Sequence, residues 1–253
     1  MNILIIGASS GIGRECAHVF SSEGHSVICS SRDEDELSNL VCDLSIRYSY
    51  KAYAVPLDLT QLTCINNFVK EIYAIFQRLD CVIITAGTMP PDGVDYSDQN
   101  ALLNTAMTNY IGIAALINDI SKRMTEVSAG TIICLSSVAG DRGRQSNFIY
   151  GATKSALSTY LQGLRMKLNK HNIQVITVLP GYVDTLMSYG KVKAVFAVSP
   201  SYFASTHHTF SCMQNTKVKL KCKYRFALKT PNLREQLIAL LKNHTTIFSN
   251  TGL

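Results

Sequence analysis

An α/β fold with a doubly wound, mostly parallel sheet is the architecture this sequence predicts. Six apolar runs of strand length recur between Asn2 and Pro180, and segments of helical length separate them. The runs are continuously apolar rather than alternating, as expected of strands buried on both faces. The chain has 253 residues, 47% hydrophobic and 17% charged, which suits one globular domain with a sizeable core. Strands alternating with helices in this way build a parallel sheet layered between helices.

The elements follow in order. The run NILIIG (2–7) is a first strand, and 11–23 is a helix. HSVICS (25–30) leads to a helix near 34–46, and KAYAV (51–55) leads to QLTCINNFVKEIYAIF (61–76). In that last segment Ile65, Phe68, Val69, Ile72 and Phe76 recur at helical spacing. DCVIITAG (80–87) precedes a long helix near 99–126. GTIICLSS (130–137) precedes one near 148–169, and NIQVITVLP (172–180) closes the series. The first domain therefore runs over residues 1–200.

Residues 201–253 read as an atypical basic tail. Through residue 185 the chain carries 14 Lys/Arg against 17 Asp/Glu; from Leu186 onward it carries 10 against 1. TKVKLKCKYRF (216–226) alternates, with Val218, Leu220, Cys222, Tyr224 and Phe226 on one side and Lys217, Lys219, Lys221, Lys223 and Arg225 on the other. That is a strand pattern. PNLREQLIALLKN (231–243) has a helical apolar face behind a proline at its start. Three readings of the tail stay open: a lysine-guarded sheet edge, a face toward an anionic membrane, or a segment altered by insertion or frameshift.

No apolar run reaches the roughly 18 residues that a membrane-spanning helix requires. The start of the chain has no basic region before its apolar run and is read as a strand, not a signal peptide. The eight cysteines form no C-x-x-C pair and sit mostly within apolar runs, which points to buried thiols in a reducing compartment, with no metal site. His207 and His208 are read as loop residues.

IIGASSGIGRE places Gly7, Gly11 and Gly13 between the first strand and the first helix. Glycines let backbone N–H groups approach a pyrophosphate, and a helix N-terminus adds partial positive charge. A glycine-rich turn without a ligand is the alternative. After the second strand the chain reads CSSRDEDEL. A carboxylate at that strand end would take a ribose 2′-hydroxyl, and a basic residue would take a 2′-phosphate. Arg32 therefore favours NADP(H) over NAD(H), with Asp33 as the counter-argument. Asp58, in PLDLT, is placed either to meet the adenine or to cap a helix.

SNFIYGATKSAL sets Tyr150 one helical turn before Lys154. A phenol titrates near 10 in water, and an adjacent ammonium favours the phenolate. The pair can then act as a general acid or base. Ser137 stands at the C-terminal end of the fifth strand, and ligands of open α/β sheets gather at that end of the strands. Alone, Y-x-x-x-K is a common surface pattern, and Ser136 or Ser137 alone would be a strand-end cap.

Taken together, these residues resemble the short-chain dehydrogenase/reductase family over residues 1 to about 200. GASSGIG is similar to the family's cofactor loop, and Asp58 matches its adenine-contacting acid. TAG (85–87) resembles the N-A-G stretch after the fourth strand, with Thr85 in place of the usual Asn. TNYIG puts Asn109 at the position of the fourth catalytic residue. Ser137, Tyr150 and Lys154 match the Ser–Tyr–Lys set, and PGYVDT (180–185) resembles the segment that lines the nicotinamide. The resemblance implies a Rossmann fold. It implies a cofactor site formed by Gly7, Ser9, Ser10, Gly11, Ile12, Gly13, Arg32, Asp58, Ala86 and Gly87 together with Pro180, Gly181, Val183 and Thr185. Tyr150 would exchange a proton with the substrate oxygen and Ser137 would polarise it. Lys154 would lower the tyrosine pKa and bind cofactor ribose, and Asn109 would hold a relay water.

A narrower stretch, SSVAGDRGRQSNFIYGATKSALSTYLQGLR, resembles the branch that contains the reductase subunit of polyprenylphosphoryl-ribose 2-epimerase. That branch implies a keto-sugar on a lipid phosphate, with Arg142 and Arg144 as phosphate partners or plain loop arginines. The expected protein is a cytoplasmic oxidoreductase of a carbonyl/alcohol pair, with peripheral contact at the inner membrane face and no nucleic acid partner. A reductase of acyl-carrier-bound 3-keto groups and a catalytically silent nucleotide-binding protein are the alternatives. The resemblance also implies a homo-oligomer, dimer or tetramer, through the 148–169 helix bearing Ala156, Leu157, Tyr160, Leu161, Leu164 and Leu168.

Overall fold

The structure, a computed structural model, describes residues 1–90, 98–185, 199–207 and 217–220. Seven parallel strands form one sheet: β1 (Asn2–Ile6), β2 (Ser26–Ser30), β3 (Ala52–Ala54), β4 (Cys81–Ile84), β5 (Gly130–Leu135), β6 (Ile173–Pro180) and β7 (Lys217–Leu220). Their spatial order is β3-β2-β1-β4-β5-β6-β7. Among the described residues seven α-helices accompany them: α1 (Gly11–Ser22), α2 (Glu34–Arg47), α3 (Ile65–Ile75), α4 (Gln99–Ala106), α5 (Gly112–Val127), α6 (Phe148–Asn169) and α7 (Pro200–His207).

The unbroken apolar strands divide their side chains between two cores. Leu4, Ile6, Ile28, Val82, Ile84, Ile132, Cys134 and Val175 pack with residues of α3, α5 and α6. Ile3, Ile5, Val27, Cys29, Cys81, Ile83, Ile133, Leu135, Ile176 and Val178 pack with residues of α1, α2 and α7. Adjacent residues point to opposite faces of a strand, so a run with no polar break needs a helix layer on each side. Each buried Val, Leu or Ile contributes about 1.5–3 kcal/mol.

The parallel sheet matches the predicted class, and several boundaries move. The helix expected over 61–76 begins as a 3₁₀ turn at Leu62–Cys64. The one expected over 99–126 is interrupted by a π-helical turn at Met107–Ile111. Beyond residue 200, Phe203 and Ala204 of α7 join the second core, and β7 pairs with β6 from Thr177↔Lys217 to Pro180↔Leu220. Of the strand pattern over 216–226, Lys217–Leu220 form a seventh strand, the outermost on that side among the described residues. The rest of that pattern, the helix expected over 231–243, His208, Cys212 and Cys222 lie outside the described residues. Among the described residues no helix is long and apolar enough to cross a membrane. Of the described cysteines, Cys16, Cys29, Cys81 and Cys134 are buried, and Cys42 and Cys64 are exposed.

Candidate active site

The predicted site residues other than Asn109 lie at or beyond the carboxyl ends of the strands, or on the turns and helices that follow them; Asn109 comes from the turn between α4 and α5. Strand order reverses between β1 and β4, and the glycine-rich turn leaves β1 at that point. Gly7 adopts φ +88° and Gly11 φ +51°, backbone that other residues rarely take. The N–H groups of Gly7 and Ala8 donate to the Ser30 carbonyl at 2.8 and 3.0 Å, which ties the turn to the end of β2. A Cβ on Gly13 would land on the Gly7 carbonyl oxygen and within 2.6 Å of Thr85 Oγ1. Thr85, the departure from the family's Asn, donates its hydroxyl to the Ile6 carbonyl at 2.9 Å. It clamps β4 to the glycine turn.

Ser10 precedes α1 in extended conformation, yet its side chain makes no capping bond, and the first turn of α1 has no acidic residue. The N-terminus of α1 therefore keeps donors free of side-chain acceptors, which fits a dinucleotide pyrophosphate. Helix α2 differs: Asp33 accepts from Glu36 N at 3.0 Å and caps it. The carboxylate that argued for a ribose contact is held by its own helix. Glu36 pairs with Arg14, whose Nε donates to the Ser9 carbonyl at 3.1 Å. Arg32 is exposed and makes no ion pair among the described residues. Asp58 accepts from Thr60 N–H and Thr60 Oγ1 at 2.9 and 2.8 Å, closing the loop after β3 rather than capping a helix.

Ala86 and Gly87 follow β4. The Ala86 N–H donates to the Ile6 carbonyl at 3.2 Å. A Cβ on Gly87 would sit 3.3 Å from Lys154 Nζ and 3.4 Å from Asn109 Oδ1, so this glycine borders both side chains. Pro180 ends β6; beyond Gly181, Val183 is buried, and Thr185 Cγ2 lies 3.1 Å from where a Gly11 Cβ would stand. The segment after β6 thus meets the glycine turn across the crevice.

Tyr150 and Lys154 stand in the first two turns of α6, both buried. Ser137 follows β5 and accepts from the Ala139 N–H at 3.1 Å, capping a 3₁₀ turn at Val138–Gly140. Burial pushes the Tyr150 phenol above its usual pKa, and a hydrogen bond with the Ser137 side chain pulls it back in part. This corrects the expectation that Lys154 draws the phenol down in the protein alone. The ammonium lies 5.9 Å from the centroid of the Tyr150 ring and donates to the Leu135 carbonyl at 3.0 Å. Burial lowers the lysine itself to about 8.

Asn109 occupies the π-helical turn, a local widening that recurs at functional sites. Its side chain is fully buried and exchanges two hydrogen bonds with the Thr88 backbone, and Nδ2 also donates to Thr153 Oγ1 at 3.1 Å. The amide expected to hold a relay water is thus engaged by protein groups. The networks through Thr88, Thr153, Ser136 and Ser158 escape sequence reasoning, because they join residues far apart in the chain. Arg142 and Arg144 are exposed on the loop between β5 and α6, without an ion pair among the described residues.

One expectation about α6 changes. Leu157, Leu161, Leu164 and Leu168 belong to the protein's own core and are not free for a partner. The outer face is made of small and polar residues. Ala152, Ser155, Ala156, Thr159, Tyr160, Gly163 and Lys167 line a groove of about 640 Å³ with Tyr110 and Asn118, and of the four leucines only Leu164 reaches it.

Residues 1–195 match the protein family described as short chain dehydrogenase. A Drosophila melanogaster protein called dehydrogenase/reductase SDR family protein 7-like is 32% identical over 217 residues, covering 80% of this chain and 67% of that protein. Dehydrogenase/reductase SDR family member 7B of Xenopus laevis is 31% identical over 203 residues, 75% of this chain; the match spans only 60% of that relative's length. In structure, an alcohol dehydrogenase from the archaeon Thermococcus sibiricus, complexed with 5-hydroxy-NADP, aligns with TM-score 0.80 over 88% of this chain and 97% of that one. It is 19% identical, so the likeness is one of fold.

Proposed function

The chain belongs to the short chain dehydrogenase family, and from that premise we propose that it is an NADP(H)-dependent oxidoreductase of a carbonyl/alcohol pair. The observation that carries this reading is the meeting of Ser137, Tyr150 and Lys154, in a fold whose α1 N-terminus carries no side-chain cap. A bound nicotinamide supplies the hydride. Tyr150 gives its phenolic proton to the carbonyl oxygen as that oxygen gains charge, and takes it back in the reverse direction. Ser137 holds the same oxygen by hydrogen bonding and orients the phenol. Lys154 has three donors and spends one on Leu135, so two remain for ribose hydroxyls and for the phenolate left behind. The N–H groups at the start of α1 would hold the pyrophosphate.

Arg32 supports NADP(H) because Asp33, its competitor at the ribose, is spent on capping α2. A guanidinium without a carboxylate partner suits a 2′-phosphate. The substrate in this reading is a keto-sugar carried on a polyprenyl phosphate. Arg142 and Arg144 support it, since both are exposed on the loop that joins the strand leading to Ser137 to the helix of Tyr150. Contact with the membrane face would follow from such a substrate. The groove between α5 and α6 supports a homo-oligomer: its small residues allow a second copy's helices to approach closely.

The test compares wild type with Tyr150→Phe on a panel of carbonyls that includes polyprenylphosphoryl keto-sugars. Turnover with NADPH should fall by three orders of magnitude or so in the variant, with NADPH binding by fluorescence kept. Equal turnover in the two proteins removes Tyr150 from the chemistry and overturns the reading.

A further inference from the structure

Lys154 is gripped at both ends by consecutive residues, Leu135 at the end of β5 and Ser136 directly after it. Its ammonium donates to the Leu135 carbonyl at 3.0 Å, and its own carbonyl accepts from Ser136 Oγ at 2.8 Å. The next residue along is Ser137. Ser136 is 2% exposed, and its N–H donates to the Val178 carbonyl of β6 at 2.8 Å. Its hydroxyl is therefore fixed to the frame of the sheet.

Ser158 completes the arrangement. Its hydroxyl lies 2.9 Å from the Lys154 carbonyl and 2.7 Å from Ser136 Oγ. Two hydroxyl protons serve three short oxygen contacts, so one edge of the triangle lacks a proton at any instant. The two serines are not equivalent. Ser158 bonds back to the carbonyl four residues before it on the same helix, a contact that moves with the helix. Only Ser136 joins the sheet to the helix.

We propose that Ser136 is a positioning residue: by holding the Lys154 carbonyl, its hydroxyl sets the height of α6 against β5 and so aligns Lys154 and Tyr150 with Ser137. The inference rests on the enzymatic reading for its purpose but not for its geometry. Without the Ser136 hydroxyl the sheet-to-helix link at the carbonyl end of Lys154 is lost, and the first turns of α6 can slide relative to Ser137. Misplacement of about 1 Å at a reacting group is enough to cost a hundredfold in rate.

The ammonium of Lys154 reports its own placement. Its titratable neighbours are Cys134 on β5, a thiol pushed up to about 12, and Tyr150 on α6, a phenol also pushed up. Burial is the larger cause that holds the Lys154 midpoint down, with Cys134 opposing it in part, so the midpoint responds to where the ammonium sits. The experiment is NMR of carbon-labelled lysine in the whole protein, with the Lys154 signal assigned by its loss in Lys154→Met. Ser136→Ala should move the Lys154 midpoint up from about 8 toward the ordinary 10.5, by about half a pH unit or more. Ser136→Cys, with a weak donor of similar size, should do the same and serves if the alanine variant does not fold. Ser136→Thr should restore the wild-type midpoint, and Ser158→Ala should leave it in place. A midpoint unmoved in Ser136→Ala or Ser136→Cys overturns the proposal, and so does an equal shift in Ser158→Ala. The measurement needs no turnover. The predicted midpoints in a wild type without reductase activity would sink the enzymatic reading alone, and normal activity with unmoved midpoints would sink the positioning role alone.

Discussion

Asn109 and Thr88 exchange a closed pair of hydrogen bonds: the Thr88 N–H donates to Asn109 Oδ1 at 2.7 Å, and Asn109 Nδ2 donates to the Thr88 carbonyl at 2.8 Å. The side-chain amide imitates a strand partner for the segment that leaves β4. Because Nδ2 also reaches Thr153 Oγ1, and Thr153 Oγ1 donates to the Tyr150 carbonyl at 2.8 Å, the pair links the end of β4 to the turn that carries Tyr150.

Asn109→Ala should therefore act first on stability. It strips a fully buried residue of three hydrogen bonds and leaves the Thr88 backbone and Thr153 hydroxyl short of partners. The expected loss is about 2–4 kcal/mol, read from the urea midpoint at unchanged m-value. Asn109→Asp keeps the shape but sets a carboxylate oxygen against the Thr88 carbonyl, so it should be no better. A fully stable Asn109→Ala would mean that the closed pair contributes little.

Gly140→Ala tests the approach of the turn after β5 to α6. A Cβ there would stand 2.7 Å from Ser155 N and 2.9 Å from the Lys154 carbonyl carbon. Both are backbone atoms of α6, so the helix has to move as a whole. Overpacking of this kind costs about 1–3 kcal/mol. The expected result is a lower melting temperature together with reduced turnover, because the displaced turn of α6 is the one that bears Lys154.

These two residues also mark what the sequence leaves hidden. The sheet was legible because its strands are apolar without interruption, and such runs have one physical solution, a helix layer on each face. The glycine turn and the Tyr150–Lys154 spacing were legible because each is local. Asn109 sits in a π-helical turn, and no local residue pattern in 99–126 marks where a helix widens, so the interruption is set by the fold. Ser136 and Lys154 are 18 residues apart, Asn109 and Thr153 are 44 apart, and a hydroxyl's partner over such a distance is set only by the fold. The leucines of α6 were read as a partner's face for a related reason. Periodicity finds the buried side of a helix, and here what buries it is the protein's own core.

Arg32→Ala should separate the two nucleotides. If the guanidinium meets a 2′-phosphate, its loss should weaken NADPH binding about tenfold and leave NADH binding nearly unchanged, as titration by fluorescence would show. Asp33→Ala should behave differently. It removes the cap that accepts the Glu36 N–H, which costs about 1 kcal/mol of stability, without reversing the nucleotide preference. Stronger binding of NADH than NADPH by wild type would count against the role given to Arg32.

The buried titratable groups set opposing demands on pH. Lys154 titrates at about 8 in the folded protein and near 10.5 unfolded, so between those values the unfolded chain holds the extra proton and stability rises with pH. Cys16, Cys29, Cys81 and Cys134 are each pushed up to about 12 from 9.0, so above pH 9 the unfolded chain sheds protons that the folded one retains, and stability falls. At pH 10 the four thiols together remove several kcal/mol, more than Lys154 returns, because four groups titrate against one. Stability should thus peak between pH 8 and 9 and drop toward pH 10. Lys154→Met isolates the first term. At pH 7 it relieves the burial of a charge and forfeits the bond to Leu135, for a net gain of about 2 kcal/mol that fades as pH approaches 10. Denaturation by urea across this range, on wild type and Lys154→Met, checks both slopes; a variant no more stable than wild type at pH 7 would mean that the ammonium is far better solvated than its burial implies.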